Sequence, residues 1–183
     1  MLLDSRRCCL VVVDVQARLL PAMAEPGGVV RAAAALIRAA RRLDVPILAT
    51  EQYSKGIGHT VPELAVLLPQ DSVVEKIHFS AAAEPAFTER LTATARRQAV
   101  VCGIEAHVCV LQTALGLLAQ GYETLVVADA VSARTPANRE AALARMQRHG
   151  VSVVTAEMVI FEWLGRADTP EFRELLPVIK LLG

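Results

Sequence analysis

The chain has 183 residues, 54% of them hydrophobic, and nineteen basic side chains balance nineteen acidic ones. This length fits one domain, so we expect residues 1–183 to form a single unit that buries roughly 70% of its unfolded surface. The zero net charge argues against nucleic acid or an anionic membrane as a partner. No apolar run approaches the roughly 20 residues of a transmembrane helix.

The apolar content is high for a soluble monomer, which predicts surface buried between subunits and therefore a homo-oligomer. The N-terminus has no small-residue cleavage site, so we expect no signal peptide. The cysteines have no C-x-x-C spacing and are better interpreted as reduced thiols than as a disulfide framework, which predicts a cytoplasmic protein. They are Cys8, Cys9, Cys102 and Cys109.

Apolar runs and helical spacing alternate along the chain. The runs predict strands over 8–13, 45–50, 73–76, 99–102, 123–129 and 151–155. The spacing predicts helices over 29–43, 62–68, 85–94, 106–120, 136–149, 156–164 and 170–182, with a loop over 56–60. This alternation predicts an α/β protein, a three-layer α/β/α Rossmann-like fold with a six-stranded parallel sheet.

Three side chains with complementary chemistry follow predicted strands. Asp14 comes after the first strand, Lys76 ends the third, and Cys109 lies in the first turn of the helix after the fourth. Ligands bind outside the carboxyl ends of such strands. Taken singly, each residue has a plain structural explanation: a cap, a solvated lysine and a small buried thiol.

Together, these three residues suggest a cysteine hydrolase. A helix start favours thiolate over thiol, and a thiolate can attack a carbonyl carbon. A carboxylate can accept the thiol proton and return it to the leaving group, while a cation stabilises the negative charges.

The chain resembles the isochorismatase-like cysteine hydrolases, and is most similar to the isochorismatase domain-containing proteins within them. The resemblance extends over nearly the whole chain in ordered, separated motifs. They are Asp14-Val15-Gln16, Thr50-Glu51-Gln52-Tyr53, Thr60-Val61-Pro62-Glu63-Leu64, Lys76 with His78-Phe79-Ser80, Cys102-Gly103-Ile104-Glu105-Ala106-His107-Val108-Cys109-Val110, and Val127-Ala128-Asp129-Ala130-Val131-Ser132-Ala133-Arg134.

The resemblance implies a catalytic triad with Asp14 as general base and acid, Lys76 as the cation and Cys109 as the nucleophile. It also implies a cis peptide between Ile104 and Glu105. The backbone N–H groups of Glu105 and Cys109 would then form an oxyanion hole. The implied reaction is hydrolysis of a small amide, carbamoyl compound or ester through a thioester acyl-enzyme, with a C–N bond as the main target.

Departures from the family pattern narrow the reaction. Ala106 stands where the family often has a threonine hydroxyl. The Asp-x-His metal motif of nicotinamidases is absent after the second strand, and His59 stands alone there. We therefore expect no metal and no cofactor, and disfavour a nicotinamidase. Cys109 also disfavours a true isochorismatase, which lacks the nucleophilic cysteine.

Several other residues are candidates for binding a small-molecule substrate, although loop hydrogen bonds and packing explain them about as well. They are Gln16, Gln52, Tyr53, His78 and His107. Asp129 is expected to end the fifth strand and hold the following turn through Ser132 or Arg134.

The rival hypothesis from another class is a non-catalytic binding or scaffolding protein on the same fold. A phosphatase-type aspartate loop is disfavoured because Gln16 stands where a second Asp is needed. A structural zinc site built from Cys8, Cys9, Cys102 and His107 is disfavoured because the spacing matches no known site type.

Overall fold

A computed structural model describes residues 2–183. Its centre is a six-stranded sheet in the order β3-β2-β1-β4-β5-β6, and every strand pair is parallel. The strands are β1 (Cys8–Val13), β2 (Ile47–Gln52), β3 (Val73–Lys76), β4 (Gln98–Ile104), β5 (Glu123–Ser132) and β6 (Ser152–Val154).

Helices connect the strands. They are α1 (Pro26–Arg42), α2 (Ser54–Ile57), α3 (Pro62–Ala65), α4 (Pro85–Ala93), α5 (Leu111–Ala119), α6 (Pro136–Arg148), α7 (Ala156–Leu164) and α8 (Pro170–Ile179). A π-helical turn, Ala106–Val110, precedes α5. Among residues 2–183, none of these helices has the length and apolar character needed to cross a membrane.

The sheet has a hydrophobic core on each face, which confirms the predicted α/β class. Cys8, Leu10 and Val12 of β1 face the core shared with α1, α7 and α8. Cys9, Val11 and Val13 face the core shared with α4, α5 and α6. A strand covered on both faces needs apolar residues at every position, which is why β1 is an unbroken apolar run.

Several element boundaries differ from prediction. β2 continues through Gln52, and β5 continues through Ser132 with a register shift against β4. The short helix over 54–57 includes Gly56 and Ile57, which were predicted as the start of a loop. Asp129 lies within β5 instead of ending it, and its Oδ1 accepts the Ala156 N–H at 2.8 Å. The expected link from Asp129 to Ser132 or Arg134 is therefore replaced by a cap on α7.

Candidate active site

Asp14, Lys76 and Cys109 lie at the carboxyl edge of the sheet, where β1, β3 and β4 end. In the observed order β3-β2-β1-β4, Asp14 lies between the other two. Parallel strands of one sheet end at the same edge. Asp14 and Lys76, which are 62 positions apart in sequence, and Lys76 and Cys109, which are 33 apart, therefore lie in one small region.

Asp14 and Lys76 form a fully buried ion pair. Lys76 Nζ lies 2.7 Å from Asp14 Oδ2, and neither side chain is exposed. The second carboxylate oxygen accepts a hydrogen bond from Thr50 Oγ1 at 2.7 Å. Asp14 has a left-handed backbone with φ of 51°, which turns the chain as it leaves β1. Buried charges of this kind persist only where partners and hydrogen bonds compensate for the loss of water.

Lys76 has further acceptors around its ammonium group. Nζ lies 2.7 Å from Gln52 Oε1 and 3.2 Å from the backbone carbonyl oxygens of His78 and Phe79. Four acceptors for three N–H groups leave the ammonium fully engaged by the protein. Lys76 therefore fixes the Asp14 carboxylate and the backbone of residues 78–79 at the same time.

Cys109 is a free thiol that is only 5% exposed. Burial is the largest cause that raises the pKa of the thiol to about 12, and the Asp14 carboxylate raises it further. Lys76 opposes both effects, through its charge and through hydrogen bonding. The thiol is therefore protonated at neutral pH. Burial and the carboxylate outweigh the helix-start effect that favoured a thiolate in the sequence analysis.

The segment before Cys109 turns sharply. The Ile104–Glu105 peptide bond is cis, at the position that the resemblance implies. Gly103 has φ of 120°, and a Cβ at this position would lie 2.0 Å from the Val13 carbonyl oxygen, so only glycine fits. The Glu105 carbonyl then accepts N–H groups of Val108 at 3.0 Å and Val110 at 3.2 Å.

Cys109 therefore lies in a π turn and not in the first turn of an ordinary α-helix. The Glu105 side chain is buried, and its Oε2 lies 3.0 Å from Nε of Arg134, two residues after β5 ends. The oxyanion hole formed by the Glu105 and Cys109 amides stays a prediction.

Gln52 contacts the ion pair directly, and Gln16 holds the backbone of Gln52 in place. The amide of Gln16 donates to the carbonyls of Gln52 and Gly58 and accepts the Gln52 N–H at 2.8 Å. Gln52 accepts from Lys76 and donates to the Ile77 carbonyl at 2.7 Å. Both side-chain amides are thus engaged within the protein, and their predicted contact with substrate is untested.

Tyr53 and His78 lie at the rim of the site. Tyr53 is 54% exposed and lines a cavity of about 330 Å³ together with Ile77 and Glu84. His78 Nδ1 lies 3.0 Å from a Glu84 carboxylate oxygen, and this contact lowers the pKa of Glu84. His107 is two residues before Cys109 in the π turn, and its buried Nδ1 has no hydrogen-bond partner among residues 2–183.

Sequence reasoning missed the roles of Thr50 and Glu51. Glu51 is buried and accepts the backbone N–H of Thr60 at 2.7 Å and its hydroxyl at 2.8 Å. Burial opposes the charge, but Thr60 and His59 together lower the pKa of Glu51. The carboxylate therefore ties the 53–60 segment to the end of β2. Its only sequence signal is an acid directly after an apolar run.

Among residues 2–183, no group of three or more His, Cys, Asp or Glu side chains is arranged to hold a metal ion. The lone His59 instead pairs with Glu51 at 2.8 Å. Within the described chain, Cys8 and Cys9 point to opposite faces of the sheet and so cannot share an ion with Cys102 and His107.

Asp14, Lys76 and Cys109 thus lie together at the carboxyl edge of a parallel α/β sheet, and the comparisons with known proteins show the family to which this chain belongs. Residues 8–158 match the Isochorismatase domain family. The mouse Isochorismatase domain-containing protein 2A is 41% identical over 174 residues, which are 93% of this chain and 82% of the mouse protein.

Two solved structures extend the comparison. The MAR1 ribonuclease from Caenorhabditis elegans has a TM-score of 0.92 at 35% identity, covering 98% of this chain and 93% of that one. The Escherichia coli YcaC gene product, described as an octameric hydrolase of unknown specificity, has a TM-score of 0.87 at 25% identity, covering 100% and 98%. The chain belongs to the isochorismatase family and is an isochorismatase-like hydrolase.

Proposed function

We propose that the chain is a metal-independent cysteine hydrolase that cleaves a small amide, carbamoyl compound or ester, with Asp14, Lys76 and Cys109 as its catalytic triad. The observation that carries the proposal is the buried Asp14–Lys76 pair, whose charges act directly on the Cys109 thiol. Its metal independence rests on the missing Asp-x-His triplet and on the pairing of His59 with Glu51.

The resting thiol is neutral, so the proton must leave sulfur during the attack itself. Asp14 accepts the proton as Cys109 Sγ forms a bond with the carbonyl carbon. The backbone N–H groups of Glu105 and Cys109 stabilise the developing oxyanion. Asp14 then returns the proton to the leaving amine or alcohol, and the carbon–nitrogen or carbon–oxygen bond breaks to leave a thioester on Cys109.

Hydrolysis of the thioester repeats these steps with water in place of the thiol. Asp14 accepts a proton from water as the oxygen attacks the thioester carbon, and it then returns the proton to the departing sulfur. Lys76 holds the carboxylate in place and offsets its negative charge throughout, because its ammonium is fixed by Gln52 and two backbone carbonyls.

The test is intact-protein and peptide mass spectrometry after incubation with a library of small amides, carbamoyl compounds and esters. We expect an acyl mass on the peptide that contains Cys109, absent in Cys109→Ala and retained in Cys102→Ala. Cys102 is a matched control because it is buried in β4 outside the site. Turnover that Cys109→Ala retains in full would overturn the nucleophile assignment.

Two properties of Cys109 favour the scaffolding hypothesis: its low exposure and the raised pKa of its thiol. It predicts no acyl adduct with any compound and no turnover. The name ribonuclease belongs to the C. elegans relative. For this chain the zero net charge supports a small molecule over nucleic acid as substrate.

We further propose that the chain forms a homo-oligomer in the cytoplasm. The YcaC structure described as octameric supports self-association of this fold, and large apolar side chains are exposed on this chain. Four free thiols support a reducing compartment. Sedimentation of the purified protein tests the assembly, because a monomer has a mass of 19.7 kDa.

A further inference from the structure

The hydroxyl of Thr50 is buried beside the Asp14 carboxylate. Thr50 lies in β2, pairs with Val13 of β1 and is only 1% exposed. Its Oγ1 donates to Asp14 Oδ1 at 2.7 Å, and its backbone carbonyl accepts the Asp14 N–H at 3.1 Å. Among residues 2–183, Asp14 is the only hydrogen-bond partner of this hydroxyl. Thr50 therefore holds both the backbone and the carboxylate of Asp14.

The two oxygens of the Asp14 carboxylate are held by different side chains. Thr50 donates to Oδ1, and Lys76 Nζ lies 2.7 Å from Oδ2. The terminal torsion of an aspartate is broad, so a carboxylate with one fixed oxygen can still rotate about its Cβ–Cγ bond. A second donor on the other oxygen removes that freedom. Thr50 and Lys76 together therefore fix the plane of the carboxylate.

Both donors reach Asp14 from the same side of the sheet. In the strand order β3-β2-β1-β4, Thr50 and Lys76 belong to β2 and β3, whereas Cys109 follows β4 on the opposite side of β1. Hydrogen bonding between the Cys109 thiol and Asp14 is among the causes that raise the pKa of the thiol. Each carboxylate oxygen accepts about two hydrogen bonds, so the bonds from Thr50 and Lys76 leave acceptor capacity for the thiol proton.

We propose that Thr50 is a positioning residue: its hydroxyl fixes the rotation of the Asp14 carboxylate so that an oxygen faces the Cys109 thiol and can accept its proton. This inference rests on the proposed hydrolase and adds to it a residue that acts through Asp14. Threonine suits the role because its branched β-carbon restricts χ1, so the hydroxyl itself is held at one point.

The direction of a rate change separates positioning from base strength. A hydrogen bond to a carboxylate favours the charged form and weakens it as a base. If base strength alone mattered, removing the Thr50 hydroxyl would therefore speed up proton removal from Cys109. If the hydroxyl fixes the carboxylate, its removal lets the carboxylate turn away from the thiol and slows proton removal. We expect the slower rate.

The test measures how fast iodoacetamide alkylates Cys109, read by mass spectrometry from about pH 6 to pH 9. Thr50→Val keeps the branched shape without the hydroxyl, and Thr50→Ser keeps the hydroxyl. Thr124→Val is the control, because Thr124 is 3% exposed and its hydroxyl donates to the Tyr122 carbonyl at 3.1 Å near the start of β5. Circular dichroism with thermal unfolding shows that each variant is folded.

We expect Thr50→Val to be alkylated severalfold more slowly than the wild type at pH 7, Thr50→Ser close to the wild-type rate, and Thr124→Val at that rate. The pH profile should change too. An acceptor held beside the thiol makes the wild-type rate depend little on pH. A displaced acceptor leaves the ionised thiol as the nucleophile, and the ionised fraction rises with pH toward the thiol pKa of about 12. A merely structural role would lower thermal stability without changing this profile.

A folded Thr50→Val that is alkylated at the wild-type rate or faster would overturn the inference. So would Thr50→Ser if it were slowed as much as Thr50→Val, because the hydroxyl would then not be the determinant. If Thr50→Val does not fold, Thr50→Ala replaces it with the same expected rate, since its smaller side chain leaves room for water beside Asp14.

These readouts need no substrate, and Asp14→Asn separates this inference from the proposed function. Alkylation of Asp14→Asn at the wild-type rate would count against Asp14 as the proton acceptor of the proposed hydrolase. Slow alkylation of Asp14→Asn together with a wild-type rate in Thr50→Val would count against the positioning role of Thr50 alone.

Discussion

Replacing Lys76 by methionine should strongly destabilise the folded protein. Methionine keeps most of the apolar stem but removes the ammonium that lies 2.7 Å from Asp14 Oδ2. Asp14 stays buried, with the Thr50 hydroxyl as its remaining side-chain donor. Gln52 Oε1 loses its donor as well.

The magnitude follows from these losses. Removing one partner of a buried ion pair costs about 3–5 kcal/mol, because the other charge stays buried without compensation. The unpaired Gln52 oxygen adds about 1–3 kcal/mol unless it finds water. The free energy of unfolding of a typical domain is about 5–15 kcal/mol. Lys76→Met should therefore fold only marginally, and it should form no acyl adduct.

Urea unfolding at pH 7 measures the effect. The urea concentration at the unfolding midpoint shifts by the lost free energy divided by the slope of the free energy of unfolding against urea concentration. With a dependence of about 2 kcal/mol per molar urea, a loss of 4 kcal/mol lowers the midpoint by about 2 M. Asp14→Asn combined with Lys76→Met removes both charges, so the double variant should be less destabilised than the sum of the two single variants. A midpoint shift below about 0.5 M, or additive effects, would show that the two charges are not coupled as the geometry requires.

Three further outcomes follow from the same contacts. Burial raises the pKa of the four thiols to about 11 or 12, above about 8.5 in unfolded chains. Their contribution to the free energy of unfolding is therefore present below about pH 8.5 and lost as the pH rises toward 12. In urea unfolding, the free energy of unfolding of Cys102→Ala should fall less steeply with rising pH than that of the wild type. Asp14→Asn should alkylate Cys109 more slowly than wild type with iodoacetamide at pH 8, because the neutral thiol then lacks the carboxylate that accepts its proton during attack, and it should form no acyl adduct; alkylation at the wild-type rate or faster would contradict the role of Asp14 as proton acceptor. Gln52→Leu should cost about 1–3 kcal/mol in urea unfolding and slow acylation severalfold, whereas Gln147→Leu at an exposed position should do neither.

The positions of the strands could be predicted because parallel strands covered on both faces need continuous apolar runs. β1 was placed at its observed bounds for this reason. β3, an edge strand that is apolar only over Val73 and Val74, was also placed at its observed bounds, and the three site residues were placed at the correct edge of the sheet. The ordered family motifs added predicted roles for those residues, and these roles stay predictions. Sequence reasoning was therefore strongest where a local pattern directly reflects burial.

The extent of β2, β4 and β5 could not be read from the same pattern. Their last residues are paired because neighbouring strands continue beside them, and Gly103 and Val131 pair only after a register shift. The π turn at Ala106–Val110 also depends on a single carbonyl, that of Glu105, reaching Val110. Such features depend on contacts between distant segments and leave no periodic signal.

The protonation of Cys109 shows why a local motif does not by itself determine the reactivity of a thiol. A helix start favours a thiolate within its first turn, but the same thiol is buried and next to the Asp14 carboxylate. Lys76 could offset that carboxylate, yet its own bonds to Gln52 and two carbonyls hold it at the acid. In the proposed mechanism, the Asp14–Lys76 pair therefore serves to accept the thiol proton during attack and not to stabilise a resting thiolate. A sulfur that keeps its proton until an acyl carbon arrives resists nonspecific oxidation and alkylation, and it reserves the Asp14 carboxylate for a step that needs both nucleophile and substrate in place.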